Sequence, residues 1–359
     1  MTGDGRAPHA MASRPALAVL ADEGAGGTAD RRQEDRRVDD RTSSPQQERA
    51  ARVQEKLRRE LTPLLYTVLT TRPDLVELML NEDGRVWAEF LGQPMTQVGT
   101  LAPHQAEALM ATIASTLRTT VTRENPILEC ELPLDGSRFE GMLPPVVAAP
   151  VFAIRRKASR VFTLAEYVAD GVMSARQADE LARAVLAREN VLVVGGTSSG
   201  KTTLTNALIE HMAREAPHDR LVVIEDLAEI QCSAPNRVML RATDTVDMLR
   251  LLKATMRLRP DRIVVGEVRR AEALALIKAW NTGHPGGAAT VHANDARAGL
   301  LRLENLIAEA TTAPMQRTIA AAVNLVVFIE KTPAGRRVRE LVRVHGYDGR
   351  DYTTSRIED

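Results

Sequence analysis

The sequence predicts an α/β protein whose C-terminal half builds a mostly parallel sheet covered by helices, behind an α+β N-terminal region. Three observations carry this. From about residue 160, short β-branched runs alternate with helical stretches, the rhythm of a parallel sheet wound on both faces. One of those runs, VLVV, opens directly into GGTSSGKTT, which reads as an apolar strand, a glycine-rich turn and a helix start. Upstream, helical periodicity alternates with strand pairs that turn at Asp-Gly.

The elements follow in order. Residues 1–48 are rich in Gly, Ala, Asp and Arg, and RRQEDRRVDDR offers almost nothing to bury, so this segment is expected as a disordered tail, with docking to a partner as the other reading. Val53, Leu57, Leu61, Leu64, Leu65 and Val68 recur at helical spacing and predict one helix over 47–70. VELML-NEDG-RVWAEF predicts a hairpin around Asp83-Gly84. Pro103 suits the first turn of a helix over 103–120. ILECELPLDGSRFEGMLPPV predicts a second hairpin turning at Asp135-Gly136, and VFAIRRK closes an N-terminal domain over 49–156. A linker is expected over 157–172 and the second domain over 173–347. Its strand candidates are VLVVG, LVVIED, RVMLRA, RIVVGEV, AATVHA and NLVVFIE, with helices over 174–188, 201–213, 245–258, 270–281 and 296–310. Residues 348–359 are expected as a C-terminal tail.

Composition narrows the class. Lys+Arg and Asp+Glu balance at 47 each and aromatics reach only 3%, which argues against direct nucleic-acid binding. Cys130 and Cys232 fit no metal spacing, so no structural metal is expected and free thiols suit a reducing cytosol. No apolar run approaches the ~20 residues a membrane helix needs. PALAVLA superficially resembles a signal-peptide core, but its acidic, Gly-rich continuation argues against export. A cytoplasmic protein is expected.

Gly195, Gly200, Lys201 and Thr202 match G-x-x-x-x-G-K-[ST], the phosphate-binding P-loop. Its chemistry is explicit. Gly195, Gly196, Thr197, Ser198, Ser199 and Gly200 present successive backbone N–H groups to a phosphate, and a helix starting near Lys201 adds its positive dipole end through Thr202 and Thr203. Lys201 reaches the β- and γ-phosphates, and the Thr202 hydroxyl is placed to ligate Mg²⁺. The ligands implied are ATP and Mg²⁺.

Three further clusters lie at or just beyond predicted strand ends, where such a fold puts its active site. IEDLAEI supplies Glu225, Asp226 and Glu229; RIVVGEV runs into Gly266 and Glu267; TGHPGGAATVHA carries His284 and His292. Each has a plainer reading: a helix N-cap for the first acids, a turn histidine for His284, a half-buried imidazole for His292. An acid at the end of such a strand holds Mg²⁺ or its waters in many P-loop enzymes. Glu267 is the sole acid here, because Gly266 stands where an Asp is expected.

In this order after a P-loop, the clusters resemble the secretion or traffic ATPase superfamily of type IV secretion, type II secretion and type IV pili. Residues 195–202 resemble its Walker A loop, 224–229 its Asp box, 263–267 its Walker B strand and 283–292 its His box; a Walker B strand without the Asp is usual there, whereas Leu227 departs from the small or polar residue often found in the Asp box. MLNEDGRVW and ELPLDGSRFEGMLPPV are similar to the TrbB-like conjugal-transfer branch, and the resemblance covers about residues 50–345. It implies a PAS-like N-terminal domain and a RecA-like C-terminal domain with ATP held between them. It also implies a homo-hexameric ring working on inner-membrane components of a conjugation machine, with peripheral membrane contact. Arg138 and Arg155 lie on stretches that carry arginines to the phosphates in that family; the plainer reading is surface strand arginines in salt bridges. The roles implied are water activation by Glu225 with Asp226 and Glu229 in support, positioning of metal waters or γ-phosphate by Glu267, and γ-phosphate sensing by His292. A retraction-type pilus ATPase and a RecA-like DNA motor are the rival readings; the missing C-x-x-C argues against the zinc-bearing extension branch.

Overall fold

A computed structural model describes residues 45–157, 160–243 and 245–358. The expected tail over 1–48 lies almost wholly outside the described residues. Ala50–Asp359 form one compact unit that holds both sheets.

The first sheet is antiparallel throughout and six-stranded, and three helices cover one of its faces. In chain order these elements are α1 (Pro45–Glu60), α2 (Thr62–Thr71), β1 (Leu75–Leu80), β2 (Arg85–Phe90), β3 (Thr96–Thr100), α3 (Pro103–Thr116), β4 (Ile127–Glu131), β5 (Arg138–Met142) and β6 (Val151–Arg155). The strand order is β3-β2-β1-β6-β5-β4. Leu57, Leu65, Leu109, Met110 and Ile113 from the helices pack on Leu78, Val86, Phe139, Phe152 and Ile154. Both hairpins turn at the expected Asp-Gly pairs, with Gly84 at φ +78 and Gly136 at φ +73. The single helix expected over 47–70 is two helices. Pro63 cannot continue the backbone hydrogen bonding of the helix before it, and Thr62 at φ +65 redirects the chain.

The second sheet follows the expected alternation. Its elements are α4 (Leu164–Ala169), α5 (Ala175–Leu186), β7 (Val191–Val194), α6 (Lys201–Glu215), β8 (Leu221–Glu225), β9 (Arg237–Arg241), α7 (Met248–Thr255), β10 (Arg262–Val265), α8 (Glu272–Asn281), β11 (Ala288–Val291), α9 (Ala296–Ala308), α10 (Gln316–Ala322), β12 (Leu325–Thr332), β13 (Gly335–Tyr347) and β14 (Tyr352–Arg356). The order is β14-β13-β12-β7-β11-β10-β8-β9, parallel from β12 to β9, with an antiparallel β13–β14 edge. Alternate side chains of the buried strands feed two cores. Leu192, Val222, Ile263 and Val326 meet α8, α9 and α10 on one face, and Val191, Val223, Val264 and Val327 meet α4, α5 and α6 on the other.

Two expectations change here. The segment expected as a linker contains α4, fixed by a capping box between Thr163 and Glu166 and anchored by buried Leu164 and Tyr167. The segment expected as a C-terminal tail contains β14, paired to β13 and held by buried Tyr352. Two ion pairs connect the sheets, Lys331 to Glu89 and Arg241 to Glu131, the latter at 3.1 Å. Among the described residues, no helix is long and apolar enough to cross a membrane.

Candidate active site

The P-loop leaves β7 and enters α6. Gly195 admits nothing larger, since a Cβ there would lie 2.3 Å from the Ile329 carbonyl oxygen and 2.4 Å from Ser199 Oγ. Gly200 caps α6 at φ +101, a region that favours glycine, and Ser198 sits at φ +56. Lys201 is buried, 8% exposed; its Nζ donates to the carbonyls of Gly195 at 3.0 Å and Gly196 at 2.7 Å, and lies 3.4 Å from His292 Nδ1. Burial lowers its pKa to about 8; Arg155 and Arg269 add to the shift, while Glu267 and Glu229 oppose it.

The acids gather at the carboxyl ends of the parallel strands. Glu225 ends β8 at 4% exposure, and its Oε2 accepts from the backbone N–H groups of Glu229 and Ile230, both at 2.9 Å. Burial raises its pKa and Glu229 adds to that, against the two backbone donors and Arg241. Thr202 Oγ1 donates to Glu229 Oε2 at 3.2 Å, tying the start of α6 to the strand-end acids. Beyond β10, Glu267 accepts from Arg269 at 2.6 Å and its other oxygen lies 3.0 Å from His292 Nε2. Arg269 also donates to Asp226 at 2.6 Å. His292 follows β11. Burial lowers its pKa first, then the Lys201, Arg269 and Arg155 charges, with Glu267 opposing. The lysine ammonium can only donate, so Nδ1 accepts and the ring proton sits on Nε2, facing Glu267.

Arg138 and Arg155 stand directly opposite each other across β5 and β6, and Glu77 of β1 pairs with Arg155 on its other side. Both arginines line one cavity of about 240 Å³ together with Ser198, Lys201, Glu225 and Glu267. Arg156 alternates to the other side, where its Nη1 donates to the Arg72 carbonyl at 2.8 Å. Gly196 contributes its carbonyl to Lys201, and Thr197 lines the cavity. A second cavity, of about 540 Å³, opens along Ser198, Ser199, Gly200 and Thr203 toward Phe162, Tyr167 and Arg336.

His284 is the predicted residue that the fold keeps apart. Its Nδ1 meets the Pro260 carbonyl at 2.9 Å, ahead of β10, whereas the cavity lies beyond that strand's carboxyl end. Arg269 and Arg336 are site residues that sequence reasoning missed. The only signal for Arg269 was its position two residues after Glu267, and Arg336 lay outside every motif.

Known proteins resemble this chain in sequence and in fold. Residues 96–341 match the family described as Type II/IV secretion system protein. The probable conjugal transfer protein TrbB of Sinorhizobium fredii is 55% identical over 76% of this chain and 84% of its own length. The conjugal transfer protein TrbB of Rhizobium radiobacter is 52% identical over 78% of this chain and 87% of its own length. The solved ATPase DotB of Yersinia pseudotuberculosis shares the fold at a TM-score of 0.58 and 18% identity, over 77% of this chain and 78% of that one. A family model over most of the chain and two relatives above half identity settle the membership: the chain belongs to the type II/IV secretion system protein family, alongside the TrbB conjugal transfer proteins.

Proposed function

We propose that this chain hydrolyses ATP and thereby energises a conjugative type IV secretion apparatus. The observation that carries the reading is convergence. A P-loop, three strand-end groups (Glu225, Glu267 and His292) and two arginines from a separate sheet line a single cavity. In this reading the second sheet belongs to a RecA-like domain and the first to a PAS-like one, with ATP bridging them. The γ-phosphate enters the smaller cavity and the base end lies in the larger one, beside Tyr167 and Phe162.

The residues divide the work. Lys201 exchanges its P-loop carbonyl partners for phosphate oxygens, and the loop amides neutralise developing charge. Arg138 and Arg155 bring two guanidinium forks to the γ-phosphate; an arginine finger is worth about 10³-fold or more in rate. Glu225 is held through Oε2 alone, which leaves Oε1 to accept from the attacking water. Asp226 and Glu229 support that end through Arg269 and Thr202. Thr202 and Glu267 suit Mg²⁺. Among the described residues no cluster of three metal-binding side chains exists, and Mg²⁺ in such sites takes one or two protein groups, substrate phosphates and water. Thr202 and Glu267 would hold the ion, which would supply positive charge against the phosphates. His292 joins Lys201 to Glu267 and reports loss of the γ-phosphate to both.

The likeness to TrbB proteins supports conjugation as the process. We propose further that the protein works in the cytoplasm as a homo-hexameric ring against inner-membrane components of the machine. The test uses the full chain. Wild-type protein turns over ATP with Mg²⁺ and sediments as a hexamer, and Lys201→Ala abolishes turnover and conjugation. An active Lys201→Ala protein, or a monomer with and without nucleotide, overturns the reading.

A further inference from the structure

The β12–β13 hairpin returns to the P-loop from outside every sequence motif. Gly335 turns it at φ +118, and the next residue, Arg336, lies against Gly200; a Cβ on Gly200 would stand 2.8 Å from Arg336 Cδ and 3.2 Å from Nε. Arg336 is half-buried, and its Nε is closed to solvent without a hydrogen-bond partner among the described residues. Burying a guanidinium donor without an acceptor is costly. Of the other cations along the same cavity, Arg156 pairs with Asp135, Lys157 with Glu131 and Arg160 with Glu166, while Arg155 has Glu77 opposite it on β1 and Lys201 donates to P-loop carbonyls. Among the described residues no carboxylate answers Arg336.

We propose that Arg336 is an affinity residue, whose guanidinium binds the phosphate chain at the end that ATP and ADP share. This rests on the nucleotide reading above. Arg138, Glu225, Glu267 and His292 line only the smaller cavity and Arg155, Lys201 and Thr202 line both, whereas Arg336 lines only the larger one, with Gly200 and Thr203 at the first turn of α6. A charge placed there acts equally on substrate, transition state and product, so it sets binding and leaves the chemical step alone. It also gives the missing acceptor to the buried Nε.

Calorimetric titration of the full chain with ADP and with a non-hydrolysable ATP analogue tests this. Arg336→Gln raises Kd for both ligands by a similar factor, about 10-fold or more, and raises KM with kcat at saturating ATP within about twofold. Arg336→Lys, which restores the charge, recovers most of the affinity. Unchanged Kd values in Arg336→Gln, a loss confined to the ATP analogue, or a fall in kcat without a change in Kd each overturn the assignment. Equal losses in the Lys and Gln variants overturn a phosphate contact in favour of packing on the base. Wild-type protein that binds neither ligand defeats the nucleotide reading itself, a result separate from all of these.

Discussion

Gly266 and Glu225 occupy neighbouring strand ends so closely that a Cβ on Gly266 would lie 3.0 Å from the Cβ of Glu225. The glycine is therefore part of the site. It clears the space in which the buried Glu225 side chain stands, and its carbonyl accepts from Thr290 Oγ1 at 2.7 Å. Restoring the acid with Gly266→Asp is expected to push Glu225 aside and lower kcat by about 10-fold or more, since misplacements near 1 Å cost up to about 10²-fold. Steady-state ATPase kinetics on the folded variant check this; a gain in kcat would show that the strand end wants a second acid.

Glu225→Gln keeps the shape and removes the base. Hydrolysis is expected to fall about 10²- to 10⁴-fold, the range for general-base catalysis, with nucleotide affinity within a few-fold of wild type. Single-turnover assays beside equilibrium binding separate the two quantities. Wild-type hydrolysis would remove Glu225 from the water site.

Arg138 and Arg155 present like charges across adjacent strands, an unfavourable arrangement that the carboxylates of Glu131 and Glu77 on the flanking strands oppose. Replacing either by Ala is expected to leave the nucleotide-free protein as stable or a few tenths of a kcal/mol more stable. The same change lowers kcat by about 10²-fold or more. Thermal unfolding and turnover measured on the same samples reveal the opposed signs. A variant that loses stability and keeps its rate would make the arginines structural.

Lys201 yields a pH prediction with two signs. Its pKa of about 8 lies below the ordinary 10.5, so the folded chain releases the proton first as pH rises. Between those values the unfolded chain holds more protons, and this group's contribution to stability rises with pH. Nucleotide affinity moves the other way, because the phosphates need the ammonium; Kd is expected to climb above pH 8 by up to tenfold per unit. Lys201→Arg flattens that climb, as its guanidinium stays charged. Binding isotherms from pH 7 to about 9.5 decide it.

Much of this was legible in the chain because the central strands are short, mostly apolar runs that end at small or acidic residues. VLVV, LVVIE and RIVV could be little else, and the order of their strand-end groups named the family. The misses have local causes. β3 is an exposed edge strand with no buried residue, so it carries no hydrophobic alternation. The turn at Thr62 hides inside an unbroken leucine periodicity. His284 and His292 are close in sequence, yet a strand runs between them and sends them to opposite ends of the sheet. Arg269 and Arg336 owe their places to partners remote in sequence, which no local pattern encodes.

The two ion pairs that join the sheets, Lys331 with Glu89 and Arg241 with Glu131, have a mechanical meaning. They act as ionic fasteners at the margins of the arginine-bearing plate, built from side chains that still meet water, while Ser199 and Lys201 of the P-loop are buried. Mobile ions screen exposed pairs strongly and buried ones weakly; the screening length falls from about 8 Å at physiological salt to about 3 Å at 1 M. Raising the salt concentration therefore weakens these two links between the sheets before it reaches contacts buried in the protein.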